Sequence, residues 1–81
     1  MVLFLNMKLV KKMTYDEIYS LKGSNSQFVS DCELFPNFDV TGKVKAISLE
    51  GSEYIFTVSI KGKNIHIGSN MKNLRVKKIV Q

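Results

Sequence analysis

The chain has 81 residues, a net charge of +5, 44% hydrophobic and 23% charged residues, and a single cysteine. That size holds one domain with a modest core and little room for a deep cleft, and the composition is globular rather than disordered. Cys32 alone excludes an intramolecular disulfide, and His66 is the only histidine, so no His/Cys metal set can be assembled.

Charge is unevenly spread. Residues 1–39 carry a net of −1, whereas residues 40–81 carry a net of +6. Such asymmetry speaks about partners, not about fold. The opening apolar run at residues 2–5 is far shorter than a secretory h-region, and no stretch approaches the roughly 20 apolar residues of a membrane span. The expectation is a soluble, cytoplasmic protein. Residues 1–12 are expected to be a poorly ordered N-terminal segment, and residues 13–81 one small domain. Met7 and Met13 are each able to serve as an alternative start.

In "MTYDEIYSLKG" (13–23), Thr14 and Glu17 have the spacing of a capping box, and Met13 and Ile18 that of a hydrophobic staple. Asp16 and Glu17 suit the positive end of the helix dipole, and Gly23 suits the position after the last turn. The spacing predicts a helix of about two turns. "GSNSQ" (23–27) reads as a loop. A strand over 28–35 would then place Phe28, Cys32 and Leu34 on one face, with the thiol buried and inert. Pro36 and Asn37 end it.

The next strand, "VTGKVKAISL" (40–49), shifts its apolar parity between Val44 and Ile47, as a bulged or sharply bent strand does. A four-residue turn, "EGSE", would set Leu49 against Tyr54 and Ile47 against Phe56 and spare Glu50 and Glu53 from pairing. A tight hairpin at Lys61 and Gly62 opposes Val58 to Ile65, Phe56 to Ile67 and Thr57 to His66. "GSNMKN" suits a 3₁₀ turn before a last strand with Leu74 and Val76 inward and Arg75 and Lys77 outward.

One short helix followed by five strands predicts a mostly β chain, built as a small five-stranded SH3-like barrel. An OB-like barrel is the second choice and an open sheet with a helix on one face the third. Incompletely closed edges would favour a homo-oligomer formed through edge strands.

The stretch "GSNMKNL" resembles the second motif of the Sm-like RNA-binding family through Gly68, Asn70, Met71 and Leu74. The resemblance implies a small barrel with an N-terminal helix and five bent strands. It also implies a base-binding turn at a ring pore. The chain departs from that pattern at Ile67, where the family often has a basic residue, and at "ISLEGSEY", which lacks the aspartate and asparagine of the first motif.

Catalytic motifs are absent: there is no G-x-S-x-G elbow, phosphate-binding glycine loop or H-E-x-x-H. The expectation is a non-catalytic protein without cofactor or metal. The informative set is basic: Lys43, Lys45, Lys61, Lys63, Lys72, Arg75, Lys77 and Lys78, with His66 and Asn70 as neighbouring polar contacts. Clustered cations attract RNA or single-stranded DNA through counterion release. Phe35 and Phe38 are the candidate exposed aromatics, either as stacking platforms or as a hydrophobic anchor. The alternative reading is a small protein-binding module or inhibitor, of the kind phages and mobile elements encode, that covers a partner's acidic site.

Overall fold

The computed structural model describes residues 7–79. In chain order these form β1 (Lys8–Leu9), a 3₁₀ turn (Val10–Lys12), α1 (Tyr15–Tyr19), β2 (Asn25–Ser30), β3 (Phe38–Glu50), β4 (Glu53–Ile60), β5 (Lys63–Gly68) and β6 (Arg75–Lys78). The strands build one antiparallel sheet in the order β1-β6-β2-β3-β4-β5. Strands β2 to β5 meander between sequence neighbours, and β6 returns to the far side of β2. The sheet is open, with β1 and β5 as its edges. The chain is mostly β as expected, but the strands form an open six-stranded sheet, nearer to the third expectation of an open sheet than to a five-stranded barrel, and β1 lies on the free side of β6.

Part of the N-terminal segment expected to be poorly ordered is thus built into the domain. Lys8 and Leu9 pair with Val76 and Arg75, the Val10 amide donates to the Leu74 carbonyl at 2.9 Å, and the Val10 side chain is buried. Residues 1–6 lie outside the described residues.

The helix starts where its side chains satisfy the orphan amides. The Glu17 amide donates to Thr14 Oγ1 at 3.2 Å, and the Thr14 amide donates to Glu17 Oε1 at 2.9 Å. Regular helix ends at Tyr19, so α1 is shorter than two turns, and the chain continues in overlapping turns to Ser24. Gly23, at φ +85°, then turns its amide onto the Val44 carbonyl at 2.7 Å. Ile18 and Leu21 are delivered to the core beside Val10, Phe28, Val44, Phe56, Val58, Ile67, Leu74 and Val76. The rings of Phe28 and Phe56 meet at 5.3 Å, joining the two halves of the sheet.

Strand β3 is long enough to serve both halves because it bends. Lys45 is the extra residue of a bulge between Val44 and Ala46, as the parity shift predicts. Gly42 marks a close approach: a Cβ there would lie 2.8 Å from both Ile60 Cγ1 and Val58 Cγ1 and would strike the Ser59 carbonyl oxygen.

Three local expectations are corrected. β2 starts at Asn25 inside the expected loop and ends at Ser30, and residues 31–37 leave the sheet. Ser30 causes that exit: its hydroxyl donates to the Lys72 carbonyl at 2.8 Å and accepts the Cys32 amide at 3.2 Å. Cys32 is consequently half-buried in a loop, not sealed in a strand, and Leu34 points out. Glu50 and Glu53 do face each other, across a two-residue turn; Glu53 relieves this by folding over Gly68 and accepting the Asn70 amide at 3.2 Å. The segment 69–73 makes the expected turn through two i→i+3 bonds, from the Met71 amide to the Gly68 carbonyl and from the Leu74 amide to the Met71 carbonyl, both at 3.2 Å. The apolar pairs Ile47–Phe56, Leu49–Tyr54, Val58–Ile65 and Phe56–Ile67 stand as expected.

Candidate nucleic-acid interface

Strand order decides which lysines meet. Lys78 faces Ser26 on β2, and Ser26 faces Gly42 on β3. Lys43, the next residue, faces Ser59 on β4, which faces Asn64 on β5. Lys63 follows at the same level opposite Ile60, with Lys61 at the adjoining hairpin. Lys77, Lys78, Lys43, Lys61 and Lys63 therefore fall at one level across five strands, about 19 Å along the curved sheet at 4.8 Å per strand. Lys43 and Lys77 have the outer parity, whereas Lys78 and Lys63 are in register with inward Ser26 and Ile60 and flank the outer face from the sheet's rim. None of the five makes an ion pair among the described residues. Lys45 lies one step along β3, at the bulge.

Between these cations the outward positions are small and polar. Asn25, Gln27, Thr41, Ser59 and Asn64 occupy the registers beside Lys43 and Lys77. His66 borders the band on the outer face, where its Nδ1 and Thr57 Oγ1 share a hydrogen bond of 3.1 Å. These groups suit contacts to phosphate and sugar, which position a nucleic acid without reading its bases.

Three of the predicted contact residues lie elsewhere. The Lys72 carbonyl is bound by Ser30 and Asp31, so this residue sits at the far end of β2. Arg75 turns to Asp31, with Nη1 and Oδ2 3.7 Å apart. Asn70 borders a shallow cleft with Lys11, Ser52 and Tyr54, and the Glu53 carboxylate occupies its amide.

The aromatic expectation divides. Phe35 is 59% exposed, while Phe38 is half-buried against the core; their rings contact edge-on at 6.5 Å. Both belong to the loop end of β2 and β3, where Asp31, Glu33 and Asp39 outnumber Lys72 and Arg75 by one charge. Sequence reading missed Leu34 as a surface residue, at 84% exposure, because alternation alone placed it inside. Strand pairing, unlike alternation, reports that β2 has already ended.

Among the described residues no cluster of three or more His, Cys, Asp or Glu side chains is disposed to hold a metal ion, and no helix is long and apolar enough to cross a membrane. No family model, curated protein or solved structure matches the chain.

Proposed function

We propose that this protein is a non-catalytic binding domain that contacts the backbone of RNA or single-stranded DNA through the Lys43–Lys61–Lys63–Lys77–Lys78 band. The observation that carries the reading is the alignment at one level of five lysines, unpaired among the described residues, with Lys43 and Lys77 set in an outer field of Asn, Gln, Ser and Thr and Lys61, Lys63 and Lys78 at its rim. Lysine is a hydrated point charge without the planar fork of arginine, so the contact is electrostatic and tolerant of sequence. Among the described residues this face presents no large exposed aromatic side chain, so stacking contributes little.

The fold we read is an SH3-like small barrel left open. The long bent β3 and the return of β6 to β2 support that reading. The Sm-like resemblance adds Gly68 at the end of β5, Asn70 exposed in the following turn, and Met71 and Leu74 packed below it. Glu53 beside Asn70 puts negative charge where the resemblance implies a base-binding turn, so we assign nucleic-acid contact to the lysine band instead.

The test is a salt titration of binding to short RNA and DNA single strands. Each neutralised phosphate contributes about −0.7 to the log–log slope, so four contacts give roughly −3. Replacing Lys43, Lys63, Lys77 and Lys78 with alanine should flatten that slope and leave the circular dichroism unchanged. No binding at low salt would refute the proposal. The protein-module alternative would then take precedence, supported by Phe35 at the surface as its hydrophobic anchor.

A further inference from the structure

A second kind of contact joins a surface outside the lysine band to a cleft rimmed by two lysines of the band, Lys77 and Lys78. The loop after β2 raises Leu34 and Phe35, 84% and 59% exposed, as an apolar tip. Acids surround that tip. Asp31 is shared with Arg75 and Asn73, and Asp39 accepts from Gln27, but Glu33 has no partner among the described residues. The turn is held in shape by Asn37 at φ +62° and by the amides of Phe35 and Phe38, which donate back to Cys32 and Phe35 carbonyls. This is a preformed knob, negative at its rim.

The same chain carries a hole of opposite character. Between α1 and β6 opens a cleft of about 440 Å³ whose floor is Met13, Leu21 and Val76. Lys8, Lys77 and Lys78 rim it, and Glu17, bonded to Lys8, is its one acid. An apolar floor with a positive rim suits an apolar tip with a negative rim. The volume lies in the range of clefts that enclose a small ligand, ample for an aromatic side chain.

A chain cannot fill its own cleft. Lys78 is opposite Ser26 near the start of β2, whereas the knob leaves from Ser30 at its end, roughly 13 Å further along the strand. We propose that Leu34 and Phe35 of one molecule dock into the Met13–Leu21–Val76 cleft of a second copy. Knob and hole are different patches, so the contact is head-to-tail. It propagates into a ring or an open filament rather than stopping at a dimer. The acid–lysine rim sets orientation and makes the contact weaken with salt.

A mixing experiment tests this with the full chain, read by light scattering and sedimentation over a concentration series without nucleic acid. Wild type should grow in mass beyond the dimer as concentration rises. A knob variant, Leu34→Ser with Phe35→Ser, alters exposed side chains only. A hole variant, Lys77→Glu with Lys78→Glu, reverses the rim. Each should keep the wild-type circular dichroism and raise the self-dissociation constant at least tenfold. Mixed together, the two should form a one-to-one dimer that grows no further, because each supplies one working half. Association that survives the knob variant would overturn the proposal in favour of pairing through sheet edges. A monomeric wild type at all concentrations, or a mixture that stays monomeric, would also overturn it. The knob variant keeps the whole lysine band, so its nucleic-acid affinity per chain should equal that of wild type. Failure of this contact is thereby distinguished from failure of the nucleic-acid reading.

Discussion

Replacing Gly42 with alanine is the sharpest test of how β3 is bent. An added Cβ would sit 2.8 Å from Ile60 Cγ1 and Val58 Cγ1, and would press on the Ser59 carbonyl oxygen, which is fixed in the β3–β4 ladder. The Ile60 side chain has room to rotate, but the backbone oxygen moves only if the strand does. Overpacking of this kind costs about 1–3 kcal/mol, and the stiffer unfolded chain of an alanine variant offsets about 0.4–1 kcal/mol where the native conformation is tolerated. Gly42 is not among the positive-φ glycines, so the cost is steric alone and the net destabilisation is about 1.3 kcal/mol. In a domain of this size that corresponds to a melting temperature lower by roughly 5–10 °C. In urea the midpoint should fall with the m-value unchanged, since the exposed surface on unfolding is the same. An alanine variant that melts within about 3 °C of wild type would show that β4 does not press on β3 at this point.

Glu17 bears on acid stability. The Lys8 ammonium, through its hydrogen bond, and then the Thr14 amide hold its carboxyl below the usual carboxylate range. Its contribution is therefore complete above the unfolded pKa of about 4.3 and is lost as pH falls through the lower folded value. Glu17→Gln should lower the melting temperature at pH 7 and match wild type near pH 2.5; an equal deficit at both would remove the charge-based explanation. Val10→Ala tests whether the 3₁₀ turn belongs to the core. Its buried side chain predicts a loss of about 2 kcal/mol in urea denaturation, and a loss under about 0.5 kcal/mol would contradict that placement.

What the sequence disclosed was whatever local chemistry or period-two alternation controls. Thr14 and Glu17 declare the helix start because each satisfies the other's amide. The β4–β5 hairpin is legible because only one register sets Val58 on Ile65 and Phe56 on Ile67. The bulge is legible because Val44 and Ile47 break parity. The start of β2 is not, since Ser24, Asn25 and Ser26 are turn formers by propensity. They are overridden by ladders on both sides, and the buried Ser26 hydroxyl finds Ser24 Oγ at 2.9 Å. The end of β2 is hidden for the opposite reason. Leu34 and Phe35 continue an apolar alternation, but Ser30 has already turned the chain. As for the site, parity places Lys43 and Lys77 outward, yet nothing in the sequence states that β6 lies beside β2. That long-range pairing is what separates Lys77 and Lys78, which join the band, from Lys72 and Arg75, which do not.

The position of β2 between β3 and β6 also imposes an order on folding. Strands β3, β4 and β5 are joined by two-residue turns and need only neighbours, so this meander closes its loops cheaply. Registry of Phe28 with Val76 must bridge almost fifty residues of chain. Such non-local pairing slows β proteins into the millisecond-to-second range. Until β6 arrives, one side of β2 stands bare, and Phe28, Val44 and Phe56 lack the cover that Leu74 and Val76 bring. The half-assembled sheet is therefore the species most exposed to strand pairing with another chain, and the arrival of the last strand, with β1 laid along it, retires that edge.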